Sequence, residues 1–178
     1  MTSLLATVSE DQFDQPTPCP EARVGDLVDH VGALTKGFIA VARKSVDGTE
    51  APVRPEAANL EAGWRDRIAR DLATLADAWR EPAAWEGMTS AGGVPLPGHV
   101  AGLVALDELV VHGWDIAVAI GQRYAPSVED VDAAMSFVKG FDAPRDGNLF
   151  GPVVQVPDDA PALDRLLGLA GRDPIWRP

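Results

Sequence analysis

Between Val100 and Gln122 the chain reads VAGLVALDELVVHGWDIAVAIGQ, apolar at almost every position and long enough for about six helical turns. Wound at 3.6 residues per turn, Glu108, His112 and Asp115 fall at i, i+4 and i+7, in one narrow stripe. Val104, Leu109, Val111, Ile116 and Val118 flank that stripe on both sides, so polar groups are set into an apolar face. A carboxylate and an imidazole four residues apart reach one point in space, and that point suits a metal ion. Burying the two acids is costly unless they are paired or coordinated, so the stripe asks for a partner. The rest of the chain has to supply it.

The chain has 178 residues, one domain's worth, and 46% of them are hydrophobic, enough for a core. Its 15 Lys and Arg against 27 Asp and Glu leave a formal net charge of −12. With no basic run, this balance argues against nucleic acid or an anionic membrane as partner and favours a small-molecule substrate. The single cysteine, Cys19, cannot form an intramolecular disulfide, and the opening residues lack a basic start followed by an apolar core. The expected location is cytoplasmic. Asp107, Glu108, His112 and Asp115 interrupt the best candidate for a bilayer-spanning segment.

In chain order, the pattern predicts a short helical start over Thr2–Val8 and a proline-rich loop carrying Pro16, Pro18 and Pro20. A helix then begins between Pro20 and Val24 and runs to about Lys44, with Leu27, Leu34, Phe38 and Val41 as its core stripe. His30 projects into the same stripe. Asp47–Ala58 reads as a surface loop. A third helix is predicted over Asn59–Arg80, with Leu60, Trp64, Ile68, Leu72, Leu75 and Trp79 at spacings of three and four. Glu81–Pro97 is expected to be a loop with one short extended piece, placed where it can cover the stripe. Beyond Gln122, Tyr124 and Pro126 end the central helix, and Ser127 with Asp130 resembles a capping box. A helix over Val128–Phe141 comes next, then a short strand at Val153–Val156, then a final helix over Pro161–Leu169 closed by Gly171.

Antiparallel packing of the second helix on the central one brings His30 towards Glu108 and His112. Two histidines and one carboxylate are three protein ligands, the pattern of a catalytic zinc site with an open position, and equally suited to iron or nickel. A histidine on an apolar face also serves simply as a hydrogen-bonded core residue, and spacing alone leaves both readings open. His99 reads as an ordinary residue at the start of the central helix. Cys19, between two prolines, reads as loop packing rather than a nucleophile, and Trp64 and Trp79 as core, with Trp85 undecided. Arg145 and Arg172 are open between binding an anionic substrate and forming surface salt bridges.

Three segments carry a resemblance. TPCPEARVGDLVDHV, then ALDELVVHGWDIAVAIGQ about 75 residues further on, then the closing FGPVVQVPDDAPALDRLLGLAGRDPIW, are similar to actinobacterial metal-binding proteins. These are related to the N-terminal domain of mycothiol-dependent maleylpyruvate isomerase, in the DinB-like superfamily. The resemblance implies an all-α fold, a DinB-like four-helix bundle, with an added short C-terminal helix and irregular segments. Residues 1–125 would form the bundle and 126–178 would pack on the same domain. It further implies a divalent metal, most often zinc, held by His30, Glu108 and His112. Asp115 of the HGWD motif is then expected either to orient His112 through its other ring nitrogen or to make a helix-end hydrogen bond. Trp114 faces away from the ligand stripe, as packing.

For function, the resemblance implies a metal-dependent thiol transferase or isomerase, with a low-molecular-weight thiol such as mycothiol as cosubstrate and a small electrophile as substrate. A metal-dependent hydrolase and a non-catalytic, metal-stabilised binding protein are the alternatives. The roughly 55 residues after Gln122 do not resemble the isomerase's further domain, which sets maleylpyruvate isomerisation itself in doubt. The short first helix leaves the bundle to be completed by the C-terminal helices or by a second subunit, a homodimer.

Overall fold

The computed structural model describes residues 1–20, 22–45, 54–141 and 150–178. In chain order its elements are α1 (Thr2–Leu5), α2 (Val24–Ala42), α3 (Trp64–Ala78), α4 (Pro82–Trp85), β1 (Met88–Ala91), β2 (Val94–Pro97), α5 (Gly98–Ala119), α6 (Val128–Gly140) and α7 (Ala162–Leu169). The protein is mostly helical, with one small antiparallel hairpin.

The long apolar stretch forms α5, and its near-uniform hydrophobicity has a structural reason: the helix is covered on two sides. Ala101, Ala105, Ile116 and Ala119 pack with residues of α2 and α3, including Val28, Val31 and Ile68. Val110 and Val111 pack with Val131, Ala134 and Val138 of α6 and with Phe150, Leu166 and Ala170. A helix apolar all round is the kind that sits inside a protein. The carbonyl of Val41, near the end of α2, accepts a 2.9 Å hydrogen bond from Thr89 Oγ1 in β1. Since β2 runs directly into α5, the end of α2 meets the start of α5 and the two helices lie antiparallel.

α2 begins at Val24, where the Arg23 amide donates to Asp26 Oδ2 at 3.0 Å. Asp26 and the neighbouring Asp29 also tie down the segment before α3: Asp26 Oδ1 accepts from the Ala57 amide at 3.0 Å, and Asp29 Oδ2 from Asn59 Nδ2 at 2.8 Å. α6 starts as its capping residues predict, with Ser127 Oγ accepting from the Asp130 amide at 3.1 Å.

Three expectations are corrected. The Glu81–Pro97 loop holds the short helix α4 and two strands rather than one extended piece, with Ala91 opposite Val94 across Gly92–Gly93. Both glycines have positive φ, 55° and 79°, the backbone that a tight two-residue hairpin needs. α3 starts at Trp64, not Asn59, because Gly63 at φ 79° sits at its N-terminus and residues 57–59 form a separate 3-10 turn. Val153–Val156 is not a strand: the Val154 amide bonds instead to the Gly168 carbonyl of α7 at 2.9 Å. Arg145 lies outside the described residues, as does part of the expected Asp47–Ala58 loop. Among the described residues no helix is long and apolar enough to cross a membrane.

Small residues let α4, with Trp85, and Trp79 before it approach α5. A Cβ on Gly98 would stand 2.4 Å from the Ala84 carbonyl oxygen, and one on Gly102 would stand 2.6 Å from the Trp85 ring. Trp85, 40% exposed, stacks edge-on against Trp79 with ring centroids 5.1 Å apart and donates its indole N–H to the Trp79 carbonyl. Because a carbonyl in packed backbone cannot swing aside as a side chain can, Gly98→Ala is expected to lower stability by about 1–3 kcal/mol. Gly37→Ala is the control, since a Cβ there meets nothing within 4 Å and gains up to about 1 kcal/mol of helix propensity. Urea midpoints of the two variants should move in opposite directions.

Candidate metal centre

Glu108 and His112 stand one helical turn apart on α5, and α2 presents His30 to both. Glu108 Oε2 lies 3.1 Å from His112 Nε2 and 3.6 Å from His30 Nε2. The two imidazoles meet edge to face at 5.0 Å between centroids. One ligand atom from each of the three residues fits within a 4.8 Å span. Donors about 2.0–2.2 Å from a tetrahedral ion stand about 3.4 Å from one another, so a small inward adjustment of the longest pair accommodates a divalent cation. The chemistry of the set fits too: imidazole and carboxylate suit zinc, iron and nickel.

The cluster has a buried side and an open one. The side chains of Glu108 and His112 are 14% and 11% exposed, that of His30 29%, so access to the three donors is from the His30 side. Behind His112 the arrangement is closed. Its Nδ1 lies 3.0 Å from Asp115 Oδ2, and Asp115 is wholly buried. That contact points Nε2 towards Glu108 and His30.

Sequence reasoning leaves Arg172 between surface pairing and substrate binding. The structure corrects this: Arg172 is 8% exposed and lies on Asp115, with Nε 3.3 Å from each carboxylate oxygen and Nη2 3.2 Å from Oδ2. It comes from the turn after α7, 57 positions from Asp115. Sequence reasoning also misses Asp107 as a site neighbour. It is 3% exposed, and among the described residues its Oδ1 has no hydrogen-bond partner. The other residues singled out in the sequence sit apart from the three donors or in support of the fold. His99 is exposed at the start of α5, Trp114 is 8% exposed, and Trp64 is 3% exposed within the core. Cys19 packs against the core in a turn where its amide donates to Thr17 Oγ1 at 3.2 Å.

Without a cation the cluster is an ion-pair network. Burial opposes the Glu108 charge, but the close contact of His112 and the nearby His30 imidazole outweigh it and hold the carboxylate well below its usual range. Burial likewise disfavours a charged His112, yet the hydrogen bonds to Asp115 and Glu108 push the imidazole up to about 9. Burial first, then the Glu108 carboxylate, pushes Asp107 up to about 7.

These shifts make the stability of the metal-free protein depend on pH. His112 is raised above the 6.5 of a free imidazole, so its contribution is complete below pH 6.5 and lost as pH rises through about 9. Asp107, raised from 3.8 to about 7, adds a loss between those values. Glu108 acts the other way: its contribution is present above 4.5 and lost as pH falls below it. In chelator, the urea midpoint is therefore expected to be higher near pH 6 than near pH 9.5. A midpoint that rises over that interval contradicts the network.

Fold and cluster together define a mostly helical protein with a two-histidine, one-carboxylate group set between α2 and α5. The chain belongs to the family described as mycothiol maleylpyruvate isomerase N-terminal domain, whose model matches residues 1–117. Two uncharacterized proteins from two strains of Mycobacterium tuberculosis are each 32% identical over 178 residues, covering 96% of this chain and 90% of theirs. No solved structure matches.

Proposed function

We propose that the protein binds one divalent cation, zinc in the first place, through His30, Glu108 and His112, and uses it to activate a low-molecular-weight thiol such as mycothiol against a small electrophile. The observation that supports this most is the three-donor cluster, gathered from two helices and open on the His30 side. Structural zinc is normally closed by four protein ligands, whereas three leave a position for a reactant. The family's description names a mycothiol-dependent isomerase, and this agrees with a thiol as the reactant.

A bound divalent cation would favour the thiolate form of a thiol at neutral pH. The protein's own residues supply the rest. Glu108 and His112 offer fixed donors from one rigid helix, Asp115 keeps the His112 ring oriented, and burial of the cluster by α2 and α5 restricts water to one side. A small-molecule substrate accords with the acidic charge and the absence of a basic run, and a cytoplasmic setting is part of the same proposal. The four-helix bundle belongs to the same proposal, supported by the packing of α2 on α3 and α5 and of α5 on α6.

The test has two stages. Elemental analysis of the purified chain should find about one zinc, nickel or iron per molecule. Because the cation displaces the His112 proton, affinity in a chelator competition should rise about tenfold per pH unit up to about pH 9. A cobalt-substituted chain titrated with a low-molecular-weight thiol should then gain a near-ultraviolet sulfur-to-metal absorption. A chain that takes up no metal defeats the reading. One that binds metal with no spectral response to thiol leaves a metal-stabilised protein without thiol chemistry.

A further inference from the structure

The centre is backed by two residues, Asp115 within the matched segment and Arg172 outside it. Asp115 is 0% exposed, and its Oδ2 receives from both His112 Nδ1 at 3.0 Å and Arg172 Nη2 at 3.2 Å. Arg172 is in turn held at each of its nitrogens: Nε lies between the two carboxylate oxygens, and Nη1 donates to the Ala170 carbonyl at 3.1 Å. Every guanidinium nitrogen already donates to a protein oxygen. The side chain is therefore committed to the fold.

Its backbone is fixed as well. The Arg172 amide donates to the Leu167 carbonyl at 2.8 Å and the Gly171 amide to Gly168 at 3.1 Å, around Gly171 at φ 80°. These are the paired bonds of a Schellman turn, which ends α7 and turns the chain so that residue 172 enters the interior. Gly168 permits the close approach on the other side, since a Cβ there would stand 2.7 Å from the Val154 carbonyl oxygen.

From this geometry we infer that Arg172 is a positioning residue for the metal centre: it locks Asp115, Asp115 fixes the His112 ring, and the C-terminal turn thereby sets the affinity for the cation. The inference rests on the metal reading proposed for His30, Glu108 and His112. A carboxylate anchored by an arginine cannot rotate away from the imidazole, so Nε2 stays aimed between Glu108 and His30. Partners of this kind, one bond behind a ligand, commonly alter metal affinity 10–100-fold. The matched family segment includes Asp115 and stops before Arg172, so this support comes from beyond it.

The experiment measures zinc affinity by chelator competition, and the visible spectrum of the cobalt-substituted chain, for the parent, Arg172→Met, Arg172→Lys, Asp115→Asn and the Arg172→Met, Asp115→Asn double variant. Thermal unfolding in chelator fixes a temperature at which each chain is folded. Arg172→Met is expected to weaken zinc 10–100-fold and to alter the cobalt spectrum. Arg172→Lys, which keeps the charge and loses the fork, should fall between, and reports even where the methionine chain does not fold. The double variant should bind no more weakly than the worse single, because the two residues act through one path. A folded Arg172→Met or Arg172→Lys chain with parental affinity and spectrum overturns the inference, and so do losses that simply add. A parent chain that binds no metal overturns the metal reading itself, and this inference with it.

Discussion

An Asp115→Ala chain, freed of metal, is expected to be about 3–5 kcal/mol less stable than the parent. The substitution removes the carboxylate that pairs directly with the buried Arg172 guanidinium and accepts from His112 Nδ1. An uncompensated interior charge is the expensive outcome, far more so than the loss of one hydrogen bond. Asp115 is wholly buried, so water cannot take its place without opening the packing between α5 and the turn after α7. Replacing both members by apolar residues, Asp115→Leu with Arg172→Met, should recover much of the loss, since a buried pair and a well-packed apolar pair are often of similar stability. Urea titrations of the three chains in chelator measure this. If the single variant loses less than about 1 kcal/mol, the pair is not the interior brace described here.

His30→Ala and His112→Ala are each expected to reduce metal binding by at least about a thousandfold, through loss of one of three donors. Their effects on the metal-free protein should differ. His30 lies partly exposed on α2, and its removal leaves the His112–Glu108 and His112–Asp115 contacts in place. His112→Ala strips the main partner from Glu108 and one from Asp115, so two buried carboxylates lose a cation at once. That variant should lose stability as well as metal, by roughly 2–4 kcal/mol. Metal stoichiometry and urea midpoints, measured on the same preparations, separate the two roles. Equal stoichiometry in the parent and both variants would mean the cation lies elsewhere.

The parts of the site that could be read from the sequence were those carried by helical periodicity. Glu108 and His112 share a face at any plausible start of α5, and His30 falls at the edge of the buried stripe of α2 whatever the exact ends of that helix. Arg172 could not be reached this way. Its partner is 57 positions distant, and it enters the core only because a Schellman turn at Gly171 redirects the chain. The cap itself was visible, but not where it would send the next side chain. The hairpin had a local signal that went unused: Gly92–Gly93, with Pro95 just beyond, is a two-residue turn in the making. Val153–Val156 points in the opposite direction, because a run of β-branched valines suits a strand while the Val154 amide finds its acceptor on α7.

The two-sided burial of α5 also bears on how the protein is made. α5 ends at Ala119 and the brace on Asp115 arrives with Arg172, so 172 − 119 = 53 residues separate the helix from the last group that closes over it. At about 5–20 residues per second, a ribosome needs roughly 3–10 s to add them. Until α7 is made Val110 and Val111 lack part of their cover, and Asp115 lacks Arg172 to the end of the interval. All three donors are already in the chain by then. A cation captured early would hold α2 against α5 before the far side is closed, and a nascent chain stopped short of Arg172 would carry a complete ligand set on an unbraced helix.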